Sequence, residues 1–388
     1  MLRQLKSPHL AYMPFKGATF LCLLSTPILT PKRKSFSFFH HLLSEPKMSS
    51  NTAAWLSAQK SRPLEVKSAS YTPPGENEIV VKNGAIALNL VDWARQAMGD
   101  ALFSWTTYPC IMGSDVAGEV VEVGKGVTRF KTGDRVTGLA LGLTSNRAAD
   151  GAFQVYTVLP VHLTSPIPEN LSFESASVIP LGISTAACGL FQKEYLALQF
   201  PSAPPTKPTG ETVLIWGGST SVGSNAIQLA VAAGYEVITT ASPKNFDYVK
   251  KLGASQAFDY KNETVVADLI DALKGKTSVG ALAIGDGSAD PCIKIIEKSE
   301  GKKFVALANP PSGEPPGVVG VKFIFGSDLK DNEVGPAVWV DFLPKALETG
   351  SFIAAPDAQV FGKGLETIQD GMDLMMKGMS AKKAVISL

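Results

Sequence analysis

The stretch Glu211–Ser242, ETVLIWGGSTSVGSNAIQLAVAAGYEVITTAS, decides the fold. It opens on a β-branched apolar run, Thr212-Val213-Leu214-Ile215-Trp216, the pattern of a strand buried on both faces of a parallel sheet. A turn follows, Gly217-Gly218-Ser219-Thr220-Ser221-Val222-Gly223. Beyond it Val222, Ala226, Leu229, Ala230 and Ala233 recur at helical spacing, Gly234 ends the helix, and Tyr235 to Thr240 reads as a second strand. Strand, glycine turn, helix and parallel strand make a βαβ unit. A helix start with free backbone N–H groups is where a pyrophosphate sits in such a unit.

The turn departs from the G-x-G-x-x-G dinucleotide fingerprint, because Gly218 and Gly223 lie five apart with no third glycine in register. The hydroxyls of Ser219, Thr220 and Ser221 fill the interval and can donate to phosphate oxygens. A tight turn without any ligand uses the same glycines; the flanking strand and helix favour the nucleotide. Ser219, Thr220, Ser221 and Val222 are therefore candidate cofactor contacts. The end of the second strand selects the dinucleotide. An NAD-binding unit places Asp or Glu about 20 residues past the first glycine, on the ribose 2′-OH. Here the strand ends Thr240-Ala241-Ser242-Pro243-Lys244-Asn245, without an acid. A carboxylate would repel a 2′-phosphate, whereas Ser242, Lys244 and Asn245 can donate to one. Ser242, Pro243, Lys244 and Asn245 join the candidates, and NADPH is expected over NADH. Ser242 as a helix cap with Pro243 at the first helical position is the other reading, and both can hold at once.

A chain of 388 residues predicts two domains. A net charge of +1 carries no nucleic-acid footprint. Cys22, Cys110, Cys188 and Cys292 lie far apart without a C-x-x-C pair, so reduced thiols in the cytoplasm are expected rather than a disulfide framework. Residues 1–47 differ from the rest: they are basic, with Glu45 the only acid. They read as a disordered extension or a misplaced start before Met48, with a mitochondrial-type transit peptide the alternative. Leu21–Leu24 is too short to span a bilayer, and no membrane segment is expected elsewhere.

From Asn77 onward short strands alternate with glycine turns, which predicts a small β-barrel or sandwich. Three segments here carry a family pattern: Gly113-x-Asp115-x-Ala117-Gly118-x-Val120-x-x-Val123-Gly124, Gly133-Asp134-Arg135-Val136 and Gly151-Ala152-Phe153. They resemble the medium-chain dehydrogenase/reductase superfamily, over essentially all of residues 50–388. The resemblance implies an α/β protein: a GroES-like β-barrel catalytic domain (48–184), an inserted Rossmann domain with a doubly wound parallel sheet (185–326), and a return to the catalytic domain (327–388). Zinc alcohol dehydrogenases of that superfamily carry Gly-His-Glu where this chain has Gly113-Ser114-Asp115. A catalytic zinc takes three protein ligands, and only His162 and the extension's His9, His40 and His41 are on offer. No metal is expected, which leaves hydride transfer to an acceptor that is already activated: an enone, an enoyl thioester or a quinone.

Within the zinc-free branch the chain is similar to fungal trans-acting enoyl reductases that serve polyketide synthases. Gly182-Ile-Ser-Thr185-Ala186, Gly217-Gly-Ser-Thr220, Ser242-Pro-x-Asn245-Phe-Asp, Phe258-Asp-Tyr260 and Gly378-x-Ser380-x-x-Lys383 carry that likeness. It implies cofactor contacts at Val91, Asp92, Trp93 and Ala94, at Tyr260, at Leu307 and Ala308, and at Ser380 and Ala381. It implies a substrate wall from the helix Ile183–Gln192, namely Thr185, Ala186, Ala187, Cys188, Gly189, Leu190, Phe191 and Gln192. A second wall comes from Lys322, Phe323, Ile324 and Phe325. Thr185 is the candidate catalytic donor to an enolate oxygen; Tyr108 and Asp115 are candidate acids, Asp115 alternatively holding the barrel turn. The expected function is NADPH-dependent reduction of a carrier-bound enoyl thioester in secondary metabolism, by a monomer or homodimer. The alternatives are a quinone or enone reductase on free small molecules, and a non-catalytic NADPH-binding protein.

The remaining pattern alternates strand and helix: a helix from Asp247, strands at Gln256–Tyr260, Val279–Ile284 and Lys303–Leu307, and a last strand at Val318–Gly326. Near the C-terminus Val338–Leu347 reads as a helix, Leu365, Ile368, Met372 and Met375 as the core face of another, and Ala384–Leu388 as a closing strand.

Overall fold

Two seven-stranded sheets organise the chain, in a computed structural model that describes residues 50–310 and 317–388. The expectations for residues 1–47 lie outside those residues. The first part of the chain supplies β1 (Asn51–Leu56), β2 (Glu65–Ala69), β3 (Glu78–Ala87), β4 (Cys110–Ile111), β5 (Asp115–Val123), β6 (Arg135–Leu139), β7 (Tyr156–Pro160) and β8 (Thr164–Pro166). The middle supplies β9 (Glu211–Trp216), β10 (Glu236–Ala241), β11 (Gln256–Asp259), β12 (Thr277–Ala283), β13 (Glu300–Gly301), β14 (Phe304–Leu307) and β15 (Gly320–Phe323). The end supplies β16 (Asp357–Lys363) and β17 (Lys382–Ser387).

Strands β16-β17-β3-β5-β6-β8 run side by side, with β7 on β3, so the last two strands of the chain complete the first sheet. Gly118 makes the β3–β5 pairing fit, since a side chain there would collide with the Lys82 carbonyl. Asn83 ties the sheet's interior: its buried amide donates to Ala152 O, Gln154 O and Thr157 Oγ1 at 3.1, 2.8 and 2.9 Å. A small sheet, β2-β1-β4, packs alongside.

The second sheet has the order β11-β10-β9-β12-β14-β15, every neighbour parallel, with β13 on β12. Strand β9 sits at its centre, and the alternation of its side chains explains its unbroken apolar run. Val213 and Ile215 point into one core; Leu214 and Trp216 point into another. Helix α1 (Leu90–Met98) belongs to the first sheet's surroundings, α2 (Pro180–Phe191) crosses between the sheets, and α3 (Ser221–Ala232) covers one face of the second. Ile227 and Leu229 of α3 are fully buried, each contributing about 1.5–3 kcal/mol of apolar burial. The core under α3 is continuous with that under β5 and β6: Ala117, Leu139, Ile183, Leu190, Ile215 and Leu229 share one cluster. Helix α2 forms the bridge, and its stretch with the preceding turn, Phe173–Phe191, is apolar because it is core: 72% of it is buried.

Three elements differ from expectation. Helix α2 begins at Pro180 rather than Ile183, with the proline in the first turn where its missing N–H costs nothing. Strand β15 stops at Phe323, because the backbone turns at Phe325, whose carbonyl accepts from Asp328 N–H at 3.0 Å. Strand β16 has no period-two signal, being mostly exposed and paired only with β17. The methionine stripe is core: Leu365, Ile368, Met372 and Met375 are all buried against the first sheet.

Candidate active site

The two sheets meet the cleft through loop ends, and the first of these is the turn after β9. Gly217 has φ +87°, a conformation that suits glycine alone. Its N–H donates to Thr240 Oγ1 at 3.0 Å and that of Gly218 to Thr240 O at 2.9 Å, which pins the turn to β10. A side chain at Gly223 would collide with Gly217 O, and one at Gly218 with Thr239 Oγ1. Thr220 caps α3: Oγ1 accepts from Gly223 N–H at 3.0 Å and donates to Gly217 O at 2.7 Å. The Thr220 hydroxyl, expected to meet a phosphate, is therefore spent on the cap. The helix still has unpaired N–H groups at Ser221 and Val222, and Ser221 Oγ is buried without a partner. An orphaned hydroxyl beside free N–H groups, at a turn too tight for a side chain at Gly218 or Gly223, fits a diphosphate.

Ser242 ends β10 at the cap position of a single turn, Pro243–Asn245, and its hydroxyl makes no capping bond there. Pro243 and Lys244 are exposed beside it. Asn245 is buried, and its amide donates to Ser380 Oγ at 3.1 Å. The tip of β10 thus touches the returning C-terminal segment, where Ala381 sits at φ +49°. Tyr260 stands exposed past β11, with Lys261 Nζ 5.8 Å from its ring centre.

Leu307 and Ala308 end β14. Leu307 borders a pocket of about 240 Å³ with Gly285, Asp286, Gly287, Ser288 and Asn309, at the carboxyl ends of β12 and β14. Asn309 Oδ1 accepts from Gly285 N–H at 2.8 Å, closing that rim. This is the side of a doubly wound sheet where ligands bind.

Helix α1 carries Val91, Asp92, Trp93 and Ala94. Asn89 caps it: Asn89 N–H donates to Asp92 Oδ2 at 2.8 Å and Asn89 Nδ2 to Asp115 Oδ2 at 2.9 Å. Asp92 is 4% exposed, and burial pushes its carboxyl up to about 7. The Asn89 N–H and the cations Lys383 and Arg95 oppose that rise, while the Asp115 charge adds to it. Asp115, fully buried, also accepts Leu181 N–H at 2.6 Å and pairs with Lys383 Nζ at 2.5 Å. These contacts cast Asp115 as an acceptor, not as an acid. Tyr108 donates its hydroxyl to Asp100 at 3.1 Å, and burial with that carboxylate raises it to about 12.

Of the α2 residues expected to line the substrate wall, Thr185 is half-buried, its Oγ1 against the backbone of Gly326, where any side chain would strike it. Ala186, Ala187, Cys188, Gly189, Leu190 and Phe191 are buried in the shared core, and Gln192 is nearly so. Gly189 lies against Ile324 and Leu282; Cys188 is pushed up to about 12 by burial and accepts from Gln192 Nε2 at 3.4 Å. Of the second wall, Ile324 is core, whereas Lys322 and Phe323 are exposed. Phe325 meets Trp105 edge-on, ring centres 6.0 Å apart, joining a loop of the first sheet to one of the second. Trp105, which the sequence pattern did not single out, is held by its indole N–H on Leu143 O at 2.9 Å.

The chain matches the family described as "Alcohol dehydrogenase GroES-like domain" over residues 75–169 and "Zinc-binding dehydrogenase" over residues 221–322. It is 55% identical over 369 residues to "Dehydrogenase pigH" of Monascus ruber, covering 88% of this chain and all of that one. It is 40% identical over 341 residues to "Trans-enoyl reductase himH" of Aspergillus japonicus, covering 87% and 97%. Among solved structures, an alcohol dehydrogenase superfamily protein from Novosphingobium aromaticivorans superposes with a TM-score of 0.71 at 23% identity, over 87% of this chain and 99% of that one.

Proposed function

The chain belongs to the medium-chain dehydrogenase/reductase superfamily, and on that premise we propose that it is a zinc-independent, NADPH-dependent enoyl reductase acting on a carrier-bound enoyl thioester. The oxidoreductase class and the nicotinamide cofactor follow from the family. The choice of NADPH rests on the β10 tip, where Ser242, Lys244 and Asn245 stand in place of a carboxylate. The choice of acceptor rests on the relative named a trans-enoyl reductase and on the state of Asp115, the observation that carries most weight. Its carboxylate is already met by Lys383, Leu181 N–H and Asn89, and Ser114 beside it replaces the histidine of zinc enzymes. That donor set does not fit a zinc ion, so no step runs through one.

When bound, NADPH would supply the hydride taken up at the β-carbon of the enoyl group, and a proton from solvent at the α-carbon would complete the saturated acyl product. The start of α3 holds the diphosphate through the Ser221 and Val222 N–H groups and the Ser221 hydroxyl. Ser242 and Lys244 hold the 2′-phosphate. Thr185 donates to the thioester oxygen as negative charge gathers there. Trp105 and Phe325 close over the acyl chain and keep water out. Domains follow the same division: 48–184 and 327–388 form the catalytic domain and 185–326 the nucleotide-binding domain. The acyl group arrives on a polyketide synthase carrier in this reading.

A panel of crotonyl thioester, enone and quinone, each with NADPH and the full chain, tests the proposal. Faster NADPH consumption with the thioester, with saturated acyl product, is expected. Turnover confined to quinones or free enones would replace it with the small-molecule reductase, and binding without turnover with a non-catalytic role.

A further inference from the structure

Lys383 is 4% exposed, and a buried ammonium is costly unless fully partnered. Its Nζ lies 2.5 Å from Asp115 Oδ2 and donates to Val178 O at 3.1 Å. Asp115 has no exposure and spends its other contacts on two further segments: the N–H of Leu181 in the first turn of α2, and the Asn89 amide that caps α1. One ion pair therefore joins four pieces of chain distant in sequence: the end of the Ser380–Ala381 return, the barrel strand β5, the start of α2 and the start of α1. Three of these carry residues proposed above to meet the cofactor or substrate, namely Ser380 and Ala381, Thr185, and Val91 to Ala94. Packing alone would hold such segments with apolar contacts. A buried pair is seldom the most stable filling of a core site, and where it persists it fixes geometry.

We propose that Lys383 is a positioning residue that, through Asp115, holds the nicotinamide-side segments in register while leaving the adenosine side to its own contacts. The inference deepens the proposed function and rests on it. The adenosine side keeps contacts of its own, because the α3 turn is pinned to β10 without help from Lys383.

The test compares two ligands on the full chain and its K383M and K383R variants, by binding titration. NADPH spans both sides; 2′,5′-ADP occupies only the adenosine side. K383M is expected to weaken NADPH binding about tenfold or more, a margin of one buried charged contact, with 2′,5′-ADP changed less than about twofold. K383R, which keeps the charge within reach of Asp115, is expected to regain most of the loss. If K383M does not accumulate as folded protein, Asp115→Asn removes the same ion pair while keeping an acceptor for Leu181 N–H, and is read the same way. NADPH affinity unchanged in the variant overturns the inference alone. Parallel loss of both ligands overturns it too, since a merely structural role predicts that. Failure of the unaltered chain to bind NADPH overturns the inference together with the function beneath it.

Discussion

Replacing Asp92 by Asn changes how stability responds to pH, and the structure sets the size of the change. Asp92 is buried between α1 and the Asp115–Lys383 pair, and its carboxyl is raised from the ordinary range near 3.8 to about 7. The cause is chiefly burial, with the Asp115 charge adding to it, against the Asn89 N–H, Lys383 and Arg95. A carboxyl whose folded value is raised favours the folded state while protonated. Its contribution is complete below the unfolded value and disappears as pH rises through about 7. A shift of roughly three units is worth about 4 kcal/mol at low pH. Of this, about 3 kcal/mol remains at pH 5 and almost none at pH 8. Asparagine mimics the protonated form and still accepts from Asn89 N–H. Urea unfolding of both proteins at the two pH values isolates the group, because every other titration cancels in the difference. D92N is expected to exceed the unaltered chain by about 1–2 kcal/mol at pH 5 and by about 4 kcal/mol at pH 8. A difference that does not depend on pH, or one that favours aspartate at pH 8, refutes the reasoning.

Three further outcomes follow from the site. Gly223→Ala drives a methyl into Gly217 O; the turn must open, and NADPH affinity should fall about 100-fold in a binding titration, with a stability loss of about 1–3 kcal/mol by thermal unfolding. Ser242→Asp puts a carboxylate where a 2′-phosphate would lie, so the kcat/KM ratio for NADPH over NADH should drop about 10- to 100-fold; an unchanged ratio would mean that Ser242 does not face the ribose. Thr185→Val removes the proposed donor in nearly the same volume, and kcat on crotonyl thioester should fall about 100-fold with the NADPH Kd unchanged; loss of cofactor affinity instead would make Thr185 a nucleotide contact.

The nucleotide-binding half was legible because its signals are local. β9 declares itself by an apolar run, α3 by spacing and a glycine stop, and the sheet order follows from strand–helix alternation with right-handed crossovers. The helix boundary at Pro180 was hidden for the opposite reason: Leu181 N–H is satisfied by Asp115, 66 residues earlier, and nothing nearby in sequence announces such a partner. The Lys383–Asp115 pair was invisible on the same ground, although both residues stood in quoted motifs. Spacing also could not tell which α2 residues face outward. That helix is apolar all round because it lies between two sheets, so its core positions and half-buried Thr185 look alike until Gly326 is seen against Thr185. Trp105 escaped notice because an aromatic in a loop has no period, and its partner Phe325 comes from the other sheet. In sequence Thr220 reads as a phosphate donor from its place in the glycine turn; its capping role depends on the turn's geometry.

The proposed function requires a phosphorylated dinucleotide lying across the start of α3 with its 2′-phosphate at Ser242 and Lys244. Direct titration of the full chain with NADPH and with NADH tests this without any substrate. Saturable binding of NADPH at least about tenfold tighter than NADH is expected. Equal affinity, a preference for NADH, or no binding of either would contradict it.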